Sequence, residues 1–216
     1  MFLSKRGDIM PRSRLMLMLL LGALATPATA LDLSGTLWDV VARRHGIDPV
    51  LLYALALHET QRPSGGGLVS PWPWTLGSSA GRQFYDSREE ARAAIGTLSA
   101  RGRDLDLGLL QVSLKRHRHR VADPATLLDP GVNLGVAASV LANAIGAARG
   151  DLALGVGRYR YPDDERAARA LGRRVLAVRE ALRGPTRRLK VRSVIDLWQT
   201  NAVLDLVAGP ESRGNY

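Results

Sequence analysis

From position 34 onward apolar residues recur at steps of three and four, interrupted by Gly, Pro and Asp, a pattern that predicts successive helices. Ser34 can cap a first helix running through Trp38, Val41 and Ala42 to a stop at Gly46. Asp48-Pro49 starts a second, with Asp as N-cap and Pro at the first helical position, where its missing N–H does no harm. On this helix Leu52, Leu55, Ala56 and Glu59 are three and four residues apart and share one face.

Between residues 62 and 85 Pro, Gly, Ser and Trp replace the helical period, which predicts a long irregular excursion or a short hairpin. Ser87 with Glu90 forms a capping box that opens a helix to about Ala100. A turn at 101–106 leads to Gly108-Leu109-Leu110-Gln111-Val112-Ser113, and Asp129-Pro130 repeats the cap-plus-proline start. The stripe Leu134, Ala137, Ala138, Leu141 and Ile145 carries that helix to near Gly150, and further helices fit 152–159 and 164–182. Arg183-Gly184-Pro185 breaks the chain before a tail in which Leu197, Trp198, Val203 and Leu204 can form one or two amphipathic turns. Strand-type alternation is scarce, so the expected fold class is mainly α: one domain over 31–182 and a tail over 183–216.

The first thirty residues read differently. Lys5, Arg6, Arg12 and Arg14 precede an apolar run of about eleven residues and the small-residue pattern Ala28-Thr29-Ala30, the order of a secretory signal cleaved after Ala30. The run falls short of the roughly 20 residues that span a bilayer, and no later segment reads as transmembrane, so no stable membrane anchor is expected. The mature chain would be periplasmic or secreted. The net charge is +10, and losing the leader's four basic residues and Asp8 leaves +7. Outside the cytoplasm this basicity points to the anionic cell wall and not to nucleic acid. The runs 115–120 and 187–192 lack interleaved aromatics that stack on bases and read as solvated helix face or loop.

Cysteine is absent, which removes disulfides, thiol nucleophiles and thiolate metal sites. The four histidines show no ligand spacing, so neither metal nor cofactor is expected. Glu59 is the carboxyl that stands out. On an apolar helical face its charged form loses hydration, which raises its pKa and lets it act as a proton donor near neutral pH. Taken on this helix alone, a solvated Glu in the last turn fits equally well.

The order of segments adds to this. His58-Glu59-Thr60, then Gly108 to Ser113, then Asp129-Pro130 with Asn133-Leu134, resemble in order and spacing the Glu-Ser, Gly-Leu-Met-Gln-Val/Ile-Asn and following blocks of lytic transglycosylases of the soluble-transglycosylase type, a lysozyme-like family. The resemblance spans roughly residues 37–178. Ser70-Pro71-Trp72-Pro73-Trp74-Thr75 is similar to the insert of a subgroup found with conjugative and secretion systems. Thr60 replaces the family's Ser and keeps a hydroxyl; Tyr159, in Tyr159-Arg160-Tyr161-Pro162, carries over the family's Tyr without its Asn.

The resemblance implies a lysozyme-like domain that cuts the bond between N-acetylmuramic acid and N-acetylglucosamine without water, leaving 1,6-anhydromuramyl ends. Glu59 would act first as acid and then as base, with Thr60, Gln111 and Tyr159 touching the glycan or the acid. Trp72 and Trp74 offer flat faces to a sugar or plug the core, one ring in each role being the middle course. Gln111 and Tyr159 can equally be a core amide and a core phenol. Asp104 and Asp106, the nearest further carboxylates, read as turn or cap residues. The implied partners are peptidoglycan glycan strands and components of a type IV secretion or conjugation machinery. A hydrolytic muramidase of the same fold and a non-catalytic wall-binding assembly protein remain as rival classes.

Overall fold

The computed structural model describes residues 31–65 and 68–184. The leader, the run 187–192 and the amphipathic tail beyond 184 lie outside them. The described chain is mainly α-helical, with small antiparallel sheets between the second and fourth helices.

Helix α1 (Leu37–Arg44) is capped by Thr36, whose hydroxyl accepts from Asp39 N. Ser34, the expected cap, instead has its N–H on Asp32 Oδ1. The two residues compete for one role, and Thr36 holds it because its hydroxyl also reaches Leu33 O at 2.6 Å. Helix α2 (Pro49–Thr60) starts as expected: Asp48 accepts from Val50 N and also binds Arg183 at 2.6 Å. Its residues 51–57 are all buried, so α2 is enclosed on every side instead of presenting one apolar face. It packs on α1, on the hairpin that follows it and on α7 (Glu165–Arg183).

Ser87 caps α3 (Arg88–Ala100). Glu90 reaches back to Asp86 N, one residue before the N–H of an ideal capping box. After the short α4 (Leu114–His117) come α5 (Pro130–Ala147), α6 (Leu152–Arg158) and α7. The basic run 115–120 forms α4 and a 3₁₀ turn with no buried residue. By length and composition α5 is apolar enough to cross a membrane, contrary to the expectation for the chain after its leader. In this fold it packs on α1 and α6 and buries Asn133, Leu134, Ala137, Ala138 and Leu141.

The 62–85 excursion is two hairpins. Strands β1 (Gln61–Gly65) and β2 (Leu68–Pro71) form the first, continuous with the end of α2. The second, β3 (Thr75–Ser78) with β4 (Gly81–Phe84), extends through β5 (Asp106–Leu107) to β6 (Val112–Ser113) in the order β4-β3-β5-β6. Period-2 alternation gives this sheet two characters. Leu76, Leu107 and Val112 are paired neighbours and all buried in the core. The adjoining row pairs Arg82 with Gly77, Gly77 with Asp106 and Asp106 with Ser113, so these four share the opposite face.

Candidate active site

Glu59 lies in the last turn of α2 and is 1% exposed. Burial pushes its carboxyl above the usual range; the Arg160 and Arg82 guanidiniums oppose that shift, and Asp106 adds to it. Arg82 Nη2 reaches Glu59 Oε2 at 3.4 Å from the polar row of the sheet. Arg160, just after α6, binds Asp106 of the same row at 2.6 Å. Burial lowers the Arg160 pKa, but the carboxylates of Asp106 and Glu59 outweigh it and the net shift is upward. His58 is held below its ordinary value by burial and by Arg82, Arg174 and Arg160. The site is thus a buried carboxyl set among fixed positive charges.

Asp106 is therefore neither turn nor cap. It sits in β5, half-buried and engaged by Arg160, beside Glu59 in the electrostatic sense. Asp104 is an exposed partner of Lys115.

The resemblance assigns Thr60, Gln111 and Tyr159 to the glycan. In the structure each of the three bonds to the backbone of one turn, 108–111. The fully buried Thr60 donates to Leu109 O at 2.7 Å, with Ala56 O as a second acceptor at 3.2 Å, and accepts from Trp72 N. Gln111 Nε2 donates to Gly108 O at 2.9 Å and Thr75 O at 3.1 Å. Tyr159 donates to Leu110 O at 2.6 Å, and burial pushes its phenol well up, with Glu59 and Asp106 adding to the shift. Asn133 completes the set from α5: its Oδ1 accepts from Leu110 N, and its Nδ2 donates to Leu107 O and Leu127 O. Buried polar side chains satisfied by backbone are what a low-dielectric interior demands. Here they come from α2, α5, the segment after α6 and the turn itself, and together fix the 107–111 backbone.

Two glycines make that turn fit. Gly108 has φ +77°, and a Cβ on it would collide with Asn133 and Leu127 O. Gly77 leaves the space that the Gln111 amide fills beside Asp106. Gln111 itself adopts φ +48°, a left-handed conformation that costs a non-glycine residue free energy and that its two side-chain bonds offset.

The tryptophans divide. Both rings are half-buried and meet edge to face at 5.3 Å. Trp74 packs against the main core. Trp72 hangs between two anchors: its Nε1 donates to Tyr85 O at 2.6 Å and its ring lies 4.6 Å beneath the Arg62 guanidinium. Its backbone N–H bonds to Thr60 O, which ties it to the end of α2. On the expectation that one of the two rings meets the glycan, chitotetraose should quench tryptophan emission, and Trp72→Ala should remove that signal and weaken binding. Trp74→Ala should instead lower stability by about 2 kcal/mol, the order expected for a half-buried indole. Equal losses of stability and unchanged binding in both variants would assign both rings to the core.

Sequence reasoning missed the arginines. Arg160 meets Asp106 across 54 positions, and only the fold brings them together. Arg82 left no local trace, because Gly81-Arg82-Gln83-Phe84 does not alternate and its strand is exposed along its whole length. No family model, no curated protein and no solved structure matches this chain in the three comparisons.

Proposed function

We propose that this chain is a peptidoglycan lytic transglycosylase with a lysozyme-like fold, exported by its leader, and that Glu59 is its single acid and base. The observation that carries the reading is the Glu59 carboxyl, 1% exposed at the end of an apolar helix and raised in pKa by burial. Such a group keeps its proton at pH values where an ordinary carboxylic acid has lost it. It donates that proton to the glycosidic oxygen. The substrate N-acetyl group stabilises the positive charge at the anomeric carbon, and the resulting carboxylate then takes the proton of the 6-hydroxyl as the anhydro bond closes. The Arg160 guanidinium, held in place by Asp106, favours Glu59 in this second, ionised state.

Asp106 gives a hydrolytic muramidase its one specific support, because paired carboxylates are the ordinary glycosidase arrangement. Its 2.6 Å bond to Arg160 opposes a role as base or nucleophile. The likeness of 70–75 to the insert of secretion-associated relatives supports local wall remodelling for such an apparatus.

The test is clearance of purified sacculi followed against pH. Cleavage requires the protonated acid, so the rate should persist above 4.5, the ordinary Glu value, and fall as pH rises through the raised Glu59 pKa. Sacculi left intact at every pH by folded protein would favour a non-catalytic wall-binding protein.

A further inference from the structure

Two cations approach Glu59, and they are held very differently. Arg160 is committed: its guanidinium binds Asp106 at 2.6 Å, and its carbonyl accepts from Arg116 at 3.3 Å. The Arg82 side chain has one hydrogen bond among the described residues, to Glu59 at 3.4 Å. That is long for a charge-assisted bond, which is ordinarily about 2.7–2.9 Å. The Arg82 side chain is 41% exposed, while that of Glu59 is 2% exposed. It stands on β4, an edge strand whose four residues are all exposed, and its neighbour across the sheet is Gly77, which offers no side chain to hold it.

We propose that Arg82 is a carboxylate receptor: it pairs with Glu59 until an anionic glycan arrives, then transfers to a carboxylate of that glycan and leaves Glu59 free to take up the proton it will donate. The inference rests on the transglycosylase reading for the identity of the glycan. Its chemistry is a competition between two acceptors. Glu59 holds Arg82 most strongly as a carboxylate, and in its buried position that charge is disfavoured. A carboxylate at the exposed end of Arg82 accepts the same guanidinium with two parallel bonds and little desolvation. Once Arg82 has moved, Glu59 loses a group that favours its ionised form and binds one proton from solvent. A neutral glycan cannot drive this exchange.

Wall glycan offers such a carboxylate from two sources: the lactyl group of muramic acid, once its peptide is removed, or the peptide stem itself. The other groups facing Glu59 do not fit the role. Arg160 after α6 and Asp106 on β5 neutralise each other, Tyr159 is committed to Leu110 O, and the His58 imidazole on α2 is driven toward its neutral form by burial and by the charges of Arg82, Arg174 and Arg160.

The test uses the purified protein and three disaccharides that lack the scissile bond: chitobiose, N-acetylglucosaminyl-N-acetylmuramic acid, and the latter carrying its peptide stem. Affinity is read by calorimetry, and the Glu59 carboxyl by carbon NMR titration. Wild type should bind at least one carboxylated disaccharide about tenfold tighter than chitobiose, and that ligand should raise the Glu59 pKa. Which of the two does so identifies lactyl or stem as the source. In Arg82→Gln the preference should vanish, with the Glu59 pKa already raised and unresponsive to ligand; Arg82→Lys should restore part of both. Equal or undetectable binding of all three by wild type, a tenfold preference retained by Arg82→Gln, or a Glu59 titration indifferent to both ligand and variant would overturn the inference. Neither readout needs turnover. Uncleaved sacculi with this binding pattern would remove the transglycosylase reading alone, and cleaved sacculi without it would remove the receptor alone.

Discussion

Glu59→Gln should reduce sacculus cleavage below detection while the protein stays folded. Gln keeps the shape and a hydrogen-bonding oxygen for Arg82 but has no proton to give and no charge with which to take one back. General acid and base contributions are each roughly 10²–10⁴-fold, and here one side chain supplies both. The same variant should carry a stability signature. In the unfolded chain Glu59 ionises near 4.5, whereas burial holds its native pKa higher. Between the two the native state binds more protons than the unfolded one, so stability present below 4.5 drains away as pH rises through the native value. Gln has no such drain. Melting curves should therefore show the variant more stable than wild type at pH 8 and nearly equal to it at pH 4. A variant less stable at pH 8 would mean that the ionised carboxyl is a net structural asset, as in an ordinary ion pair. Asp106→Asn should cost far less activity, because Asp106 is already bound by Arg160.

The largest structural effect is expected at Asn133. Its side chain is fully buried and makes three hydrogen bonds, to Leu110 N, Leu107 O and Leu127 O. Alanine leaves one donor and two acceptors without partners, and each unsatisfied buried group costs about 1–3 kcal/mol. Collapse of the neighbouring glycine turn can recover some of that, so we expect a loss of about 3–5 kcal/mol, or roughly 10 °C in melting temperature for a domain of this size. Asn133→Asp should fail too, since a carboxylate can accept from Leu110 N but cannot donate to the two carbonyls. Activity should fall more steeply than stability, because the turn that Asn133 holds also receives Thr60 and Tyr159. A melting temperature within about 2 °C of wild type for Asn133→Ala would show that the turn is fastened by other means.

The helices were legible because their signals are local. Asp48-Pro49, Ser87 with Glu90, Asp129-Pro130 and Asp164 each mark a start within four residues, and the structure begins α2, α3, α5 and α7 there. Ser34 was the expected cap of α1, and Thr36, two residues on, takes the role because its hydroxyl reaches both Asp39 N and Leu33 O. The hairpins of 61–84 were less legible because their strands are four or five residues long and carry Gly, Pro and Ser, so alternation never accumulates. Glu59 could be singled out only when the segments at 108–113 and 129–134 were read beside its apolar helix, since the helix alone also fits a solvated Glu. The backbone partners of Thr60, Gln111 and Tyr159 could not be read, since the carbonyls of Leu109, Gly108 and Leu110 come to them only in the folded chain. Arg82 and Arg160 needed the register Arg82–Gly77–Asp106–Ser113, a long-range pairing that no window of sequence contains.

The measurement that bears most directly on Glu59 as sole acid and base is mass spectrometry of the soluble products from purified sacculi, digested in parallel by wild type, Glu59→Gln and Asp106→Asn at matched folded concentration. The account predicts 1,6-anhydromuramyl ends from wild type, lighter by one water than the reducing ends of a hydrolase, the same ends from Asp106→Asn, and no product from Glu59→Gln. Reducing ends from wild type, with Asp106→Asn as inactive as Glu59→Gln, would contradict it and establish a two-carboxylate hydrolase.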